Sequence, residues 1–388
     1  MDFNKHNLIK QPWRYVFEIS SYLTKNNFDL TILTNKNKLS NSSIINGIKI
    51  RYLNNIYSNF SFTKELERII IEEKPDILMP ILGVSSFIRV KTKLDVPIIG
   101  ILTAPLYTLR EVMNVGLREL LCHSGYLLTH LLGSLIPKIV IKNGSKKYDR
   151  IIVLSKRNET KLIAYGIPKE KIAIIPPGID NVPSSPLRFE DIRQFKDKIN
   201  PEQMPLILYF GSPLTLRGTD LLINSFSHIN NILPSRLLIL SRLDTPDLEK
   251  DEERLRKLIK RKRLENSVDI ISRKLEKDEL RKYILVADII CLPFKIVLSD
   301  FPLGILESMA LGKLVISVDL DGIPELLEGR GYVVKPCDEN ELTAILIKAL
   351  KKPDLSKHLG IQAYEYLQNY PDWALAGQRF LEIINNYR

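Results

Sequence analysis

Two stretches of this 388-residue chain place the residue types that hold a charged ligand at useful spacing. The first runs Tyr209-Phe-Gly-Ser-Pro-Leu-Thr-Leu-Arg-Gly218 and opens into an apolar helical pattern from Thr219. Amides at a helix start point outward unpaired and favour an anion. Gly211 and Gly218 let backbone approach a ligand closely, and Arg217 supplies a planar cationic fork suited to phosphate oxygens. The loop reads as a diphosphate cradle or as an ordinary strand-to-helix turn with a surface arginine. The second stretch is Ser299-Asp-Phe-Pro-Leu-Gly-Ile-Leu-Glu307-Ser-Met-Ala-Leu-Gly312. Gly304 frees amides at another helix start. Glu307 follows one turn later between Leu306 and Met309, where a carboxylate can accept both hydroxyls of a ribose. A solvated glutamate on an amphipathic helix is the competing reading.

These loops need strands to carry them. Pro205–Phe210, Arg236–Leu240, Val268–Ile271, Ala287–Leu292 and Lys313–Ser317 are short apolar runs. Helical patterns separate them, at Thr219–Ile229 and at about 251–263, 277–285 and 304–311, which predicts parallel strands in an α/β domain. The first half repeats the alternation. Trp13–Lys25 and Phe62–Lys74 read as helices, and Leu30–Thr34, Lys49–Leu53, Pro75–Pro80, Val96–Thr103 and Arg150–Ser155 as strands. Residues 181–203, rich in proline, serine and charge, read as a linker. The expected fold class is therefore α/β, with two tandem Rossmann-like, doubly wound parallel-sheet domains facing a cleft. Domain one spans 1–180, domain two 204–371, and a C-terminal helix at 372–388 packs back on domain one. Ligands of such sheets bind beyond the carboxyl ends of the strands.

The wider composition narrows the partners. Apolar residues make up 45% and charged residues 26%, as in ordinary globular proteins. Lysine and arginine exceed aspartate and glutamate by 11, and the isoelectric point is about 9.3. That excess suits an anionic partner or a basic solvated surface alike. Cys122, Cys291 and Cys337 share no metal-ligand spacing, so neither a disulfide framework nor a zinc site is expected, and a reducing cytoplasmic setting fits. Met1-Asp-Phe-Asn-Lys-His carries no apolar signal run. Leu120–Pro137 contains no Asp, Glu, Lys or Arg, and Arg118, Lys138, Lys142, Lys146 and Lys147 flank it. Polar and proline interruptions argue against a span. The readings left are peripheral contact with an anionic membrane through 117–147 and a helical hairpin packed on its own domain.

The chain resembles the large retaining glycosyltransferase family 4 of the GT-B fold. Phe301, Leu303, Leu306, Glu307, Met309, Ala310, Gly312, Val315 and Ile316 match that family's E-G-F-G-L-x-x-L-E-A-M-A-x-G-x-P-V-I motif. Gly211, Gly218, Asp220, Leu222 and Ile223 match its G-R-x4-K-G-x-D-x-L-I loop, with Arg217 in place of the lysine. Tyr148–Ser155, Ile172–Asp180 and Tyr283–Pro293 resemble three further family segments, so the resemblance runs over nearly the whole chain. It implies that Glu307 binds the donor ribose and that Arg217 neutralises the leaving diphosphate in place of a metal. It further implies that Gly211, Ser212 and Gly218 line the phosphates and that amides near Phe301, Pro302, Leu303 and Gly304 meet the donor sugar or phosphate. The chain around Ser272, Arg273 and Lys274 would frame the base. No cofactor is implied beyond a nucleotide-diphosphate sugar as co-substrate.

The chain also departs from the family. Ser299 stands where the first glutamate belongs, with Asp300 one residue away as a catalytic substitute. Ser212 replaces the arginine of G-R. The opening strand and glycine loop of the N-terminal domain are missing, and Lys10-Gln-Pro-Trp13 stands in the loop's place, which would leave a gap in that sheet. Tyr107 and Arg110 are candidates for the acceptor side. The resemblance thus implies a retaining transferase moving a hexose to a glycan or lipid-linked acceptor, in the cytoplasm at the inner face of the membrane. A degenerate, non-catalytic scaffold is the alternative. Nucleic-acid binding rests on net charge alone, with no aromatic or Cys/His motif to support it.

Overall fold

The computed structural model describes residues 12–387 except 36–41, 54–56, 59–60, 63, 89–95, 117–118, 120–123, 181–187, 243–245 and 298. Lys10, Gln11, Cys122 and the opening of segment 117–147 therefore lie outside the described residues.

The first helix, Trp13–Lys25, buries Tyr15, Ile19 and Leu23 at four-residue spacing, one turn of helix apart. Three strands follow: β1 (Thr31–Asn35), β2 (Ser42–Ile45) and β3 (Ile48–Leu53). They order as β1-β3-β2, with β3 parallel to β1 and antiparallel to β2. A short hairpin, β4 (Tyr57–Ser58) and β5 (Ser61–Phe62), leads to the helix Lys64–Glu73. A second sheet, β6 (Ile99–Leu102), β7 (Arg150–Val153) and β8 (Ile172–Ile174), is wholly parallel. The strand expected over Pro75–Pro80 is reduced to isolated parallel bridges, Leu78 to Ile98 and Ile81 to Ile101. Among the described residues no ladder joins the two three-stranded sheets.

The C-terminal sheet is continuous. Its strands are β9 (Leu206–Gly211), β10 (Arg236–Ser241), β11 (Val268–Ser272), β12 (Ile289–Cys291), β13 (Leu314–Val318) and β14 (Tyr332–Val334). They order as β11-β10-β9-β12-β13-β14 and all pair parallel. Helices cover both faces, which is why these strands are near-continuous runs of Ile, Leu and Val with no alternation. The order reverses between β9 and β12, and a crevice opens at such a reversal, beyond the strands' carboxyl ends.

The expected linker is only partly one. Within it Phe189–Ile199 is a helix, and Phe195 meets Tyr283 edge-on at 4.8 Å between ring centroids. The amphipathic spacing of Ile192, Phe195 and Ile199 lay hidden among the charges there. The C-terminal helix Trp373–Asn385 crosses back onto Trp13–Lys25. A Cβ at Gly377 would stand 2.3 Å from the Tyr22 ring, so glycine sets how closely the two helices approach. Segment 124–145 folds as two helices, Ser124–Ser134 and Lys138–Ser145. Among the described residues no helix is long and apolar enough to cross a membrane.

Candidate active site

Both motif loops emerge at the reversal. The first leaves β9 at Gly211 and tightens into a 3-10 turn, Thr215–Arg217, before the helix Thr219–Asn230. Gly218 links turn to helix at φ +76°, and a Cβ there would lie 1.8 Å from the Pro293 carbonyl oxygen. Only glycine fits, both for its backbone angle and for the approach of the neighbouring loop. The Tyr209 hydroxyl donates to the Ser212 carbonyl at 2.7 Å and stiffens the start of the loop. Arg217 lies with its guanidinium 5.3 Å from the Phe294 ring centroid, a stacking contact from the second motif loop.

The second loop leaves β12 and enters the helix Leu303–Ala310. Glu307 sits in that helix's second turn and is open to water. The cleft walls still surround it beyond its first neighbours. That surrounding protein, and then the Asp180 carboxylate, raise its carboxyl above the ordinary value, while Lys277, Arg14 and Arg242 pull the other way. Phe301 is buried against Gly322, where a Cβ would stand 2.5 Å from its ring. Pro302 precedes the helix, Leu303 begins it, and Gly304 lies against Phe210.

Ser299 and Asp300 are not presented to an open cleft. The Ser299 hydroxyl donates to the Thr103 carbonyl at 3.3 Å, and the Asp300 amide donates to the same oxygen at 3.1 Å. The Asp300 side chain is completely buried. It accepts from the Asn158 amide at 2.9 Å and from the Gly322 amide at 2.9 Å. Burial first, and the neighbouring Asp321 carboxylate second, push Asp300 up to about 7. Asp300, expected as a stand-in for the absent glutamate, has its carboxyl engaged between the domains. The cause is packing, since Asn158 and Thr103 reach it from the N-terminal domain.

Tyr107 also reaches across to the other domain. Its hydroxyl donates to the Val297 carbonyl and accepts from the Val297 amide, both at 2.8 Å, so it is an interdomain clamp. Arg110 is exposed on the helix Leu109–Asn114. Ser272 donates to Glu252, and the exposed Arg273 pairs with Glu279. Lys274 is exposed. Ser272 ends β11 and the other two follow it, two strands from the reversal. An apolar hollow of about 330 Å³ lined by Leu285, Ala310, Leu311, Gly312, Ile361 and Tyr364 lies at the other end of the sheet. It offers nothing to a phosphate.

Residues 190–366 match the family described as Glycosyl transferases group 1, and residues 13–181 match Glycosyltransferase Family 4. This chain belongs to glycosyltransferase family 4. No curated protein matches it in sequence. Its fold resembles sucrose-phosphate synthase from Thermosynechococcus elongatus, at 17% identity and TM-score 0.75, over 97% of this chain and 93% of that one. A glycosyltransferase from Rickettsia africae gives 18% and 0.68, over 96% and 94%. Anabaena HepE in complex with UDP and glucose gives 16% and 0.62, over 88% and 87%. The two Rossmann-like domains are those of a GT-B glycosyltransferase.

Several residues of this family 4 glycosyltransferase escaped the sequence reading. Asp180 ends the Ile172–Asp180 motif, yet nothing in sequence shows that it receives Lys277 at 2.9 Å, Arg14 at 2.5 Å and the Trp373 indole at 3.2 Å. Four distant segments meet there, beside Glu307. Opposite, Arg157 pairs with Asp319, and Lys161 reaches Asp321 at 3.1 Å and the Leu106 carbonyl at 2.7 Å. The one local signal was Ser155. It caps the helix Lys156–Ala164 by accepting from the Asn158 amide, which turns Asn158 and Lys161 toward the second domain.

Proposed function

We propose that the chain is a retaining hexosyltransferase using a nucleoside-diphosphate sugar, with a glycan or lipid-linked acceptor. The observation that carries this is the placement of Arg217 and Glu307 on the two segments that follow the strands flanking the strand-order reversal, Arg217 in the turn after β9 and Glu307 in the helix after β12. Glu307 would accept the ribose hydroxyls. The Gly211–Gly218 loop and Arg217 would hold the diphosphate. HepE, in complex with UDP and glucose, shares the fold. In the reaction the bond from the sugar's anomeric carbon to the diphosphate oxygen breaks. The acceptor oxygen bonds to that carbon on the same face, and its proton passes to the departing diphosphate. Charge growing on the diphosphate is what Arg217 stabilises. A fixed guanidinium and amides offset that charge, so the proposal needs no divalent cation.

The acceptor side and the location belong to the same proposal. Among the described residues sixteen large apolar side chains are exposed, and six of them, Leu109, Met113, Leu128, Leu132, Leu135 and Ile139, fall on one short stretch. Lys138, Lys142 and Lys146 are exposed beside them. This mixture suits peripheral contact with an anionic cytoplasmic leaflet. Tyr107 connects it to the cleft, since its ring meets His130 edge-on at 5.2 Å while its hydroxyl holds Val297.

The test is consumption of UDP-glucose and related donors by the wild type, Glu307→Ala and Arg217→Ala. Loss of turnover in both variants supports the reading, and wild-type rates in both refute it. The burial of Ser299 and Asp300 favours a second reading, a non-catalytic scaffold that keeps the fold. Tight nucleotide-sugar binding without turnover would favour that one.

A further inference from the structure

The loop that carries Arg217 is tied to the opposite domain by a buried ion group that the chemistry above does not use. Glu119, from the N-terminal domain, accepts from the Thr215 hydroxyl at 2.6 Å. Its other oxygen accepts from the Lys295 ammonium at 3.0 Å. Lys295 also donates to Asp220 at 2.7 Å. Lys295 is 9% exposed and Glu119 only 5%. Thr215 begins the turn that ends at Arg217, and Asp220 lies in the first turn of the helix beyond it. The Lys295 amide donates to the Leu216 carbonyl at 3.0 Å, so Lys295 holds the middle of the turn as well. Burial alone would lower the Lys295 ammonium, but the Asp220 and Glu119 carboxylates more than offset it and hold the group charged. One lysine thus grips the turn from the second motif loop, and one glutamate grips both from across the cleft.

We infer that Glu119 is a positioning residue that makes the placement of Arg217 depend on closure of the two domains. Thr215, Asp220 and Lys295 share one domain and stay together whatever the cleft does. Glu119 joins them only when the cleft is shut. A buried ammonium with two carboxylates is well compensated, and with one it is less so, so the group favours the shut state. The turn receives its last hydrogen bond in that state alone. Closure would then complete the cation that meets the leaving diphosphate, an arrangement that withholds catalysis until both domains are engaged. This rests on the transferase reading given above.

The test uses the full chain and three variants, Glu119→Gln, Lys295→Met and the pair together. Glutamine keeps the acceptor for Thr215 and removes the charge. For UDP-glucose consumption, Glu119→Gln is expected to lower kcat by about 100-fold, as a displacement near 1 Å does. The affinity for UDP, measured by calorimetry, should move less than threefold. The double variant should recover the melting temperature, because no buried ammonium remains, and should keep the low kcat. Recovery of kcat together with stability would show a merely structural role and overturn the inference. Small-angle scattering decides independently of turnover. Glu119→Gln should be more extended than the wild type without ligand, and identical curves would also overturn it. If the wild type consumes no donor, the transferase reading fails, and the scattering comparison still judges Glu119.

Discussion

Replacing Asp300 by asparagine should reverse its effect on stability across a modest pH range. The side chain is wholly buried, held by Asn158 and the Gly322 amide, and set against Asp321. Burial and that neighbour raise its carboxyl from 3.8 to about 7. The folded protein therefore holds a proton that the unfolded chain has already lost. The stabilisation is fully present below the unfolded value and disappears as the pH rises through the folded one. About three units at 1.36 kcal/mol each give a ceiling of roughly 4 kcal/mol lost between pH 4 and 8. Asparagine cannot ionise, so it escapes this loss. Its amide group must instead face a donor that the carboxylate accepted, at a cost of about 1–3 kcal/mol. It also leaves Asp321 with Lys161 and without a like charge beside it. The variant should thus be less stable than the wild type near pH 5 and equal or more stable near pH 8. Urea denaturation followed by circular dichroism at four pH values reads the crossing, and using the variant as reference cancels the other titrating groups. A difference between the two proteins that stays constant with pH would refute the reasoning, since the carboxyl would then not be the buried, proton-holding group described.

Other outcomes follow from single contacts. Gly218→Ala should cost at least about 2 kcal/mol and abolish donor binding, because alanine must adopt a left-handed angle and displace Pro293; thermal unfolding and UDP calorimetry together check it. Asp180→Ala removes the shared partner of Arg14, Lys277 and Trp373, so donor turnover should fall more than the melting temperature does. Equal losses would indicate a hinge role without influence on Glu307. Treatment with EDTA should leave UDP-glucose consumption unchanged, and restoration by added magnesium would contradict the role given to Arg217. Leu132→Glu with Leu135→Glu should abolish sedimentation with phosphatidylglycerol vesicles while the fold survives, since both side chains are exposed. Sedimentation equal to the wild type would move the membrane contact elsewhere.

The second domain was legible because its strands are buried on both faces and its turns are marked by glycine. Leu206–Gly211 and Leu314–Val318 are dominated by apolar residues, Gly218 sits where no side chain fits, and Gly304 packs tightly against the Phe210 ring. The helix Phe189–Ile199 was hidden because its few apolar residues lie among charges, and its burial against Tyr283 is a tertiary fact. The strand expected at Pro75–Pro80 had the right composition, yet only Leu78 and Ile81 bridge onto the neighbouring strand.

The sequence by itself determined the two α/β domains and the segments that carry Arg217 and Glu307. Each of these follows from local rules: side-chain periodicity, glycine geometry and the direction of amides at a helix start. Only the tertiary structure decided what Asp300, Tyr107 and Glu119 do. Their partners, Asn158, Val297 and Lys295, come from the opposite domain, between 142 and 190 residues away along the chain. Whether a carboxylate is a solvated charge, a buried proton holder or one arm of an ion group depends on which groups surround it in space. That surrounding is assembled from both domains at once, and no spacing within either one records it.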